Sequence, residues 1–129
     1  MNLVTLAFIG DAVYELSIRH RLAERGGTYT ADKLHVEAVR YVKAQAQAKA
    51  LKGMIKENIL SDEELDLVRK ARNRKPKSIP RHADPLEYKF ASALEALFGW
   101  HFTEGRNDRV EELVNFAVHV IDEDRQTKR

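Results

Sequence analysis

Residues 88–99, Tyr88-Lys89-Phe90-Ala91-Ser92-Ala93-Leu94-Glu95-Ala96-Leu97-Phe98-Gly99, decide how the whole chain is read. Asp84-Pro85-Leu86-Glu87 just before them is a helix start: a capping side chain, Pro at the first helical position and an acid at the third. The run from Tyr88 onward is apolar on nearly every side, which predicts a central helix continuing to about residue 99. Glu95 is an isolated charge in that run. Residues 6–14, Leu6-Ala7-Phe8-Ile9-Gly10-Asp11-Ala12-Val13-Tyr14, repeat the pattern with Asp11 as the lone charge. Helical spacing sets Asp11 on the face of Val4, Ala7, Phe8, Tyr14, Glu15 and Ile18, and Glu95 on that of Tyr88, Ala91, Ser92, Phe98 and Gly99. Both helices are expected to be central and neighbours, with Gly10 and Gly99 allowing their backbones to approach closely.

Outward from these two, the periodicity predicts five helices and no strand. The first covers residues 3–25 and stops at Gly26-Gly27. Thr30 caps a long one, residues 31–57, with Leu34, Ala38, Val39, Val42, Ala46, Ala50, Leu51 and Met54 at helical spacing. Ser61 and Glu64 form a capping box for a third. The helix led by Asp84 is the fourth, and Asp108 with Glu111 opens the fifth, striped by Val110, Leu113, Val114, Ala117, Val120 and Ile121. The polar tail from about residue 122 is expected to fray. With 129 residues, 43% hydrophobic and 33% charged, the chain reads as one soluble all-α domain, residues 1–129. The absence of cysteine excludes disulfides, thiolate metal sites and thiol nucleophiles. No apolar run nears the ~18 residues of a membrane span and no signal sequence opens the chain, so a cytoplasmic protein is expected.

Charge is distributed unevenly. Residues 69–82 hold seven of the 22 basic residues (Arg69, Lys70, Arg72, Arg74, Lys75, Lys77 and Arg81) and no acid. The rest carries 15 basic against 20 acidic residues, a net of −5. A mildly acidic body with one concentrated basic segment suits a polyanion, and a solvated charge run is the plain alternative. Pro76 and Pro80 keep this segment from being regular helix.

A carboxylate taken out of water needs a cation, and neither apolar helix offers one close by. A hard divalent ion held by Asp11 and Glu95 would satisfy both acids and leave positions for water and phosphate. Alternatively each acid meets its own Arg, Lys or backbone amide, or reaches solvent at a helix edge. The five histidines lack the close spacing of a zinc site and read mostly as surface residues. Tyr14, Tyr88, Phe98 and Trp100 read as packing residues.

Ile9-Gly10-Asp11-Ala12-Val13 resembles the signature helix of the ribonuclease III family, and residues 94–99 resemble its second acidic helix. The stretches 7–15, 31–35, 69–84 and 88–99 together are most similar to the Mini-ribonuclease III branch, which lacks a double-stranded-RNA-binding domain. The resemblance implies a ribonuclease III endonuclease-domain-like helical bundle acting as a homodimer, its signature helices near the dimer interface. It implies Mg²⁺-dependent hydrolysis of double-stranded RNA, with Mn²⁺ able to substitute, and a role in ribosomal RNA (23S precursor) maturation. Asp11 and Glu95 match the catalytic metal ligands; Glu15 and Ser92 are candidate outer-sphere groups. Larger members carry further acids where this chain has Val4, Ala7 and Ser92. The basic segment would then contact RNA through Arg69, Arg72, Asn73, Arg74, Lys75, Lys77, Arg81 and His82. The competing reading is a non-catalytic helical RNA-binding or assembly module with the same fold.

Overall fold

The computed structural model describes residues 1–27, 30–75 and 78–127. They form six helices and no strand: α1 (Leu3–Glu24), α2 (Ala31–Val42), α3 (Ala44–Lys56), α4 (Asp62–Asn73), α5 (Pro85–Thr103) and α6 (Asn107–Thr127). The architecture is all-α, as expected, with one helix more than the sequence pattern suggests.

Side chains at the predicted starts set the boundaries. The Ser61 hydroxyl accepts from the Glu64 amide at 3.1 Å while the Glu64 carboxylate accepts from the Ser61 amide at 2.8 Å. Asp84 Oδ1 accepts from the amides of Leu86 (2.9 Å) and Glu87 (3.2 Å). Asn2 and Thr30 cap α1 and α2 in the same way. α5 runs one turn past the expected end, to Thr103, before Gly105 turns the chain at φ +77°.

The long second helix expected from the periodicity is broken. Lys43 is extended (φ −63°, ψ 151°), ending α2 and starting α3. Neither Gly nor Pro is at this point, so the break results from packing. Val42 loses its helical partner there, and its carbonyl accepts from Gln47 Nε2 at 2.7 Å. α6 continues into the polar stretch after residue 122. Tyr41 donates its hydroxyl to Asp122 at 2.6 Å and Lys49 pairs with Asp124 at 2.6 Å, which carries α6 on to Thr127.

α5 is the core helix: Phe90, Ala91, Ala93, Leu94, Ala96, Leu97 and Phe98 are all buried, and it packs on α1, α3, α4 and α6. Tyr14 stacks on Phe98 with centroids 5.0 Å apart, and its hydroxyl donates to the Tyr41 carbonyl at 2.9 Å. Both aromatics are core, as the sequence suggests. The expected close approach of α1 and α5 is present: a Cβ on Gly99 would stand 1.9 Å from the Leu6 carbonyl oxygen.

α1 departs from expectation. A single stripe, Leu6, Gly10, Tyr14, Ile18 and Leu22, is buried, while Val4, Phe8 and Leu16 face outward. Asp11 is exposed at the edge of the buried stripe rather than enclosed. α5 and α2, with a smaller contribution from α6, cover one side of α1, and among the described residues Val4, Phe8 and Leu16 on the other side stay exposed.

Candidate active site

The crossing of α1 and α5 brings the two isolated acids together. Asp11 comes directly after Gly10, and Gly10 lies against the backbone of Glu95, so the two carboxyl groups meet and hydrogen-bond. Two carboxyl groups can share a hydrogen bond only with a proton between them. That proton belongs to Glu95. Burial pushes its carboxyl up, and the hydrogen bond and charge of Asp11 push it further, to about 8; an interaction from the Gln47 side chain works the other way. Among the described residues neither acid pairs with an arginine or lysine.

Whether the pair suits a divalent cation depends on the donor set. Two hard oxygen donors on facing helices suit Mg²⁺, which keeps several of its waters and takes one or two carboxylates from a protein. The proton on Glu95 marks where a cation would relieve the repulsion. Among the described residues no group of three or more His, Cys, Asp or Glu is arranged to hold a metal, so the pair stands without a third such donor. Ser92 is half-buried three residues before Glu95. Glu15, one turn beyond Asp11, pairs with Arg19 at 2.9 Å.

The basic segment divides in two. Arg69 and Lys70 both pair with Asp66, at 2.8 and 3.0 Å, an acid one turn upstream and outside the acid-free stretch. Arg72 and Asn73 end α4, Arg74 caps it, and Lys75, Arg81 and His82 are exposed beyond it. Among the described residues no carboxylate pairs with Arg72, Arg74, Lys75 or Arg81. Lys77 lies outside the described residues. The Arg72 guanidinium sits 5.6 Å from the Phe90 ring centroid, and Lys52 of α3 sits 5.1 Å from the same centroid. Phe90 is five residues before Glu95, about 7.5 Å of helix axis. Phe90 thus gathers Arg72 of α4 and Lys52 of α3 over one ring of α5, and Lys52 is a residue with no mark in the sequence beyond its charge.

Two further residues carry no signal in the sequence. Gln47 is buried (3% exposed) against Glu95. Four of the five histidines are exposed, as the sequence suggests for most of them, and His101 is buried at the far end of α5. Its Nδ1 accepts from Arg106 Nε at 2.8 Å, so its Nε2 carries the hydrogen and donates to Glu64 at 2.6 Å. Arg109 clasps the same carboxylate at 2.8 and 3.0 Å. Burial alone raises the Glu64 carboxyl, but Arg109, the Ser61 amide and His101 outweigh it and hold it at about 2. This cluster ties α4, α5 and α6 together and is structural.

The ribonuclease III domain family matches residues 4–106. The chain is 41% identical over 119 residues to Mini-ribonuclease 3 of Symbiobacterium thermophilum, covering 92% of this chain and 89% of that protein. It is 39% identical over 120 residues to Mini-ribonuclease 3 of a Thermoanaerobacter species, covering 93% and 82%. A crystal structure of a Fusobacterium nucleatum protein superimposes with a TM-score of 0.80 at 30% identity, over 92% of each chain. Matched over most of its length in sequence and fold, with a carboxyl pair where its two apolar helices cross, the chain belongs to the ribonuclease III domain family and is an endonuclease of that class.

Proposed function

We propose that the protein hydrolyses double-stranded RNA with Mg²⁺ held by Asp11 and Glu95, acting as a homodimer in the cytoplasm on a ribosomal RNA precursor, as the Mini-ribonuclease 3 relatives' name and the 23S role implied by the resemblance suggest. The observation that carries this reading is the meeting of the Asp11 and Glu95 carboxyl groups where Gly10 lies against the Glu95 backbone, in a chain whose Arg72, Arg74, Lys75 and Arg81 have no carboxylate partner among the described residues. No helix among the described residues is long and apolar enough to cross a membrane.

The chain's own groups divide the work. Arg72, Arg74, Lys75, Arg81 and Lys52 attract the phosphates of an A-form duplex, whose shape rather than base sequence is open to a binder of this kind. Asp11 and Glu95 present two oxygen donors that would hold the cation, with the Glu95 carboxyl ionised in that state. Mg²⁺, when bound there, supplies Lewis acidity toward the phosphodiester and lowers the pKa of water. No side-chain nucleophile is needed.

A second copy of the chain suits the outward face of α1. Phe8 (80% exposed), Leu16 (70%), Val4 (52%) and Phe102 of α5 (50%) leave a large apolar area uncovered. A groove of about 980 Å³ runs along it, lined by Phe8, Ala12, Leu16 and Phe102 and bordered by Asp11 and Glu15. Asp11 thus sits beside the apolar face, and a two-fold pairing through α1 would place two acid pairs near one interface, one for each strand.

Incubation of the protein with a long RNA duplex, with Mg²⁺ or with EDTA, tests this reading, using single-stranded RNA and DNA duplex as controls. Metal-dependent shortening of the RNA duplex alone is expected. Metal-independent binding without cutting would replace the proposal with a non-catalytic RNA-binding module.

A further inference from the structure

Gln47 is out of character with its surroundings. Its neighbours Ala46, Ala48, Ala50 and Leu51 are buried and apolar, and Gln45, two residues earlier, is solvated. A Leu or Met would fill the same space without burying an amide. The position even carries a penalty, since Gln47 Oε1 is enclosed with no hydrogen-bond partner. The other end of the amide accounts for its presence. Nε2 has two hydrogens. One goes to the Val42 carbonyl at 2.7 Å, which fixes the amide plane at the α2–α3 break. The side chain so fixed lies against Glu95. The break at Lys43 redirects α3 so that this residue reaches α5, and α3 packs closely on α5.

We infer that Gln47 is a positioning residue: clamped to the Val42 carbonyl by one N–H, it uses the other to hold the Glu95 carboxyl group toward Asp11, so that both acids face one divalent cation. The inference rests on the proposed cation site of Asp11 and Glu95 and adds a residue to it. Partners of this kind, bonded to a ligand rather than to the metal, orient the ligand and restrict its rotation. A bond to Val42 alone would make Gln47 a helix-end residue with no link to the cation.

The full chain tests this by its side-chain amide resonances, followed by ¹⁵N NMR as MgCl₂ is added. The Gln47 pair shifts and saturates with Mg²⁺ in the wild type, the solvated Gln45 pair does not, and the Gln47 shift vanishes in Glu95→Ala. A Gln47 pair that stays still while backbone amides around Asp11 and Glu95 shift overturns the inference and leaves the cation reading intact. A spectrum in which nothing moves overturns both. In cleavage, Gln47→Met raises the Mg²⁺ needed for half-maximal rate about 10- to 100-fold, with the rate recovered at saturating Mg²⁺. A loss that saturating Mg²⁺ does not restore, in a variant of unchanged melting temperature, contradicts the positioning role.

Discussion

Gly10 of α1 rests directly on the main-chain carbonyl of Glu95: a Cβ at residue 10 would stand 1.6 Å from that oxygen. The meeting of Asp11 with Glu95 is therefore fixed by backbone contact, at or next to each acid, rather than by the reach of flexible side chains. Small residues at this helix crossing set the meeting of the two acids as well as the packing.

Gly10→Ala should be among the most damaging single-methyl additions in the protein. The obstacle is backbone, which cannot step aside, so α1 and α5 must separate, at a cost of about 3 kcal/mol or more. Gly105→Ala has open space around its Cβ and a strained φ of +77°, and should cost about 1 kcal/mol. Urea unfolding of the two variants checks the order.

Glu95→Gln should separate stability from activity. Near neutral pH the amide imitates the protonated carboxyl and can donate to Asp11 in its place without taking up a proton, so the variant should melt no lower than the wild type. The folded Glu95 pKa of about 8 lies above its ordinary 4.5, so its stabilising contribution is full below 4.5 and lost as pH rises through about 8. At pH 9 the variant should therefore be more stable than the wild type. Cleavage should fall at least about a hundredfold at every pH, as it should for Asp11→Asn, with helix content and RNA retention preserved.

The Glu64–His101–Arg109 cluster titrates in the opposite sense. Burial lowers the His101 pKa from 6.5, outweighing the pull of Glu64, so its contribution is lost as pH falls below 6.5. The contribution of Glu64 is full above 4.5 and lost as pH falls toward about 2. In the wild type Glu95 offsets the first loss. In Glu95→Gln, where that opposing group is gone, the urea midpoint should drop between pH 7 and pH 5, and a flat profile would contradict the buried neutral His101. Arg109→Met leaves Glu64 short of its main partner and should cost about 3 kcal/mol.

Arg72, Arg74 and Lys75 replaced together by Ala should flatten the dependence of RNA affinity on salt. Each lost phosphate contact removes about 0.9 from the log–log slope, so a reduction of about 2 to 3 is expected. Arg69→Ala should change it less, because Arg69 already has Asp66. Filter binding in Ca²⁺ across a salt series measures both.

Phe8→Lys with Leu16→Lys should yield a monomer with unchanged helix content, since both side chains point away from the core of their own chain. Sedimentation velocity distinguishes this from a dimer that persists.

Much of this arrangement is legible in the sequence because local chemistry specifies it. Ser61 with Glu64 and Asp84 with Pro85 announce helix starts, and Gly10 and Gly99 mark a close crossing between two apolar helices. The isolation of Asp11 and Glu95 in apolar runs points to their meeting. The features hidden from the sequence depend on tertiary partners. The break at Lys43 falls among good helix formers, and Gln47, a few residues on, satisfies the freed carbonyl. Periodicity cannot tell an apolar residue packed on its own chain from one such as Phe8 left outside, so α1 reads as fully central. His101 looks like any lone histidine until Glu64, 37 residues away, is placed beside it. Asp122 looks like part of a fraying tail until Tyr41 reaches it.

Calorimetric titration of Mg²⁺ into the wild type, Asp11→Asn and Glu95→Gln is the most direct measurement of whether the two acids form one cation site. The wild type should bind Mg²⁺ and release a proton as it does, and each variant should lose that binding. Equal Mg²⁺ binding in all three proteins would contradict the account.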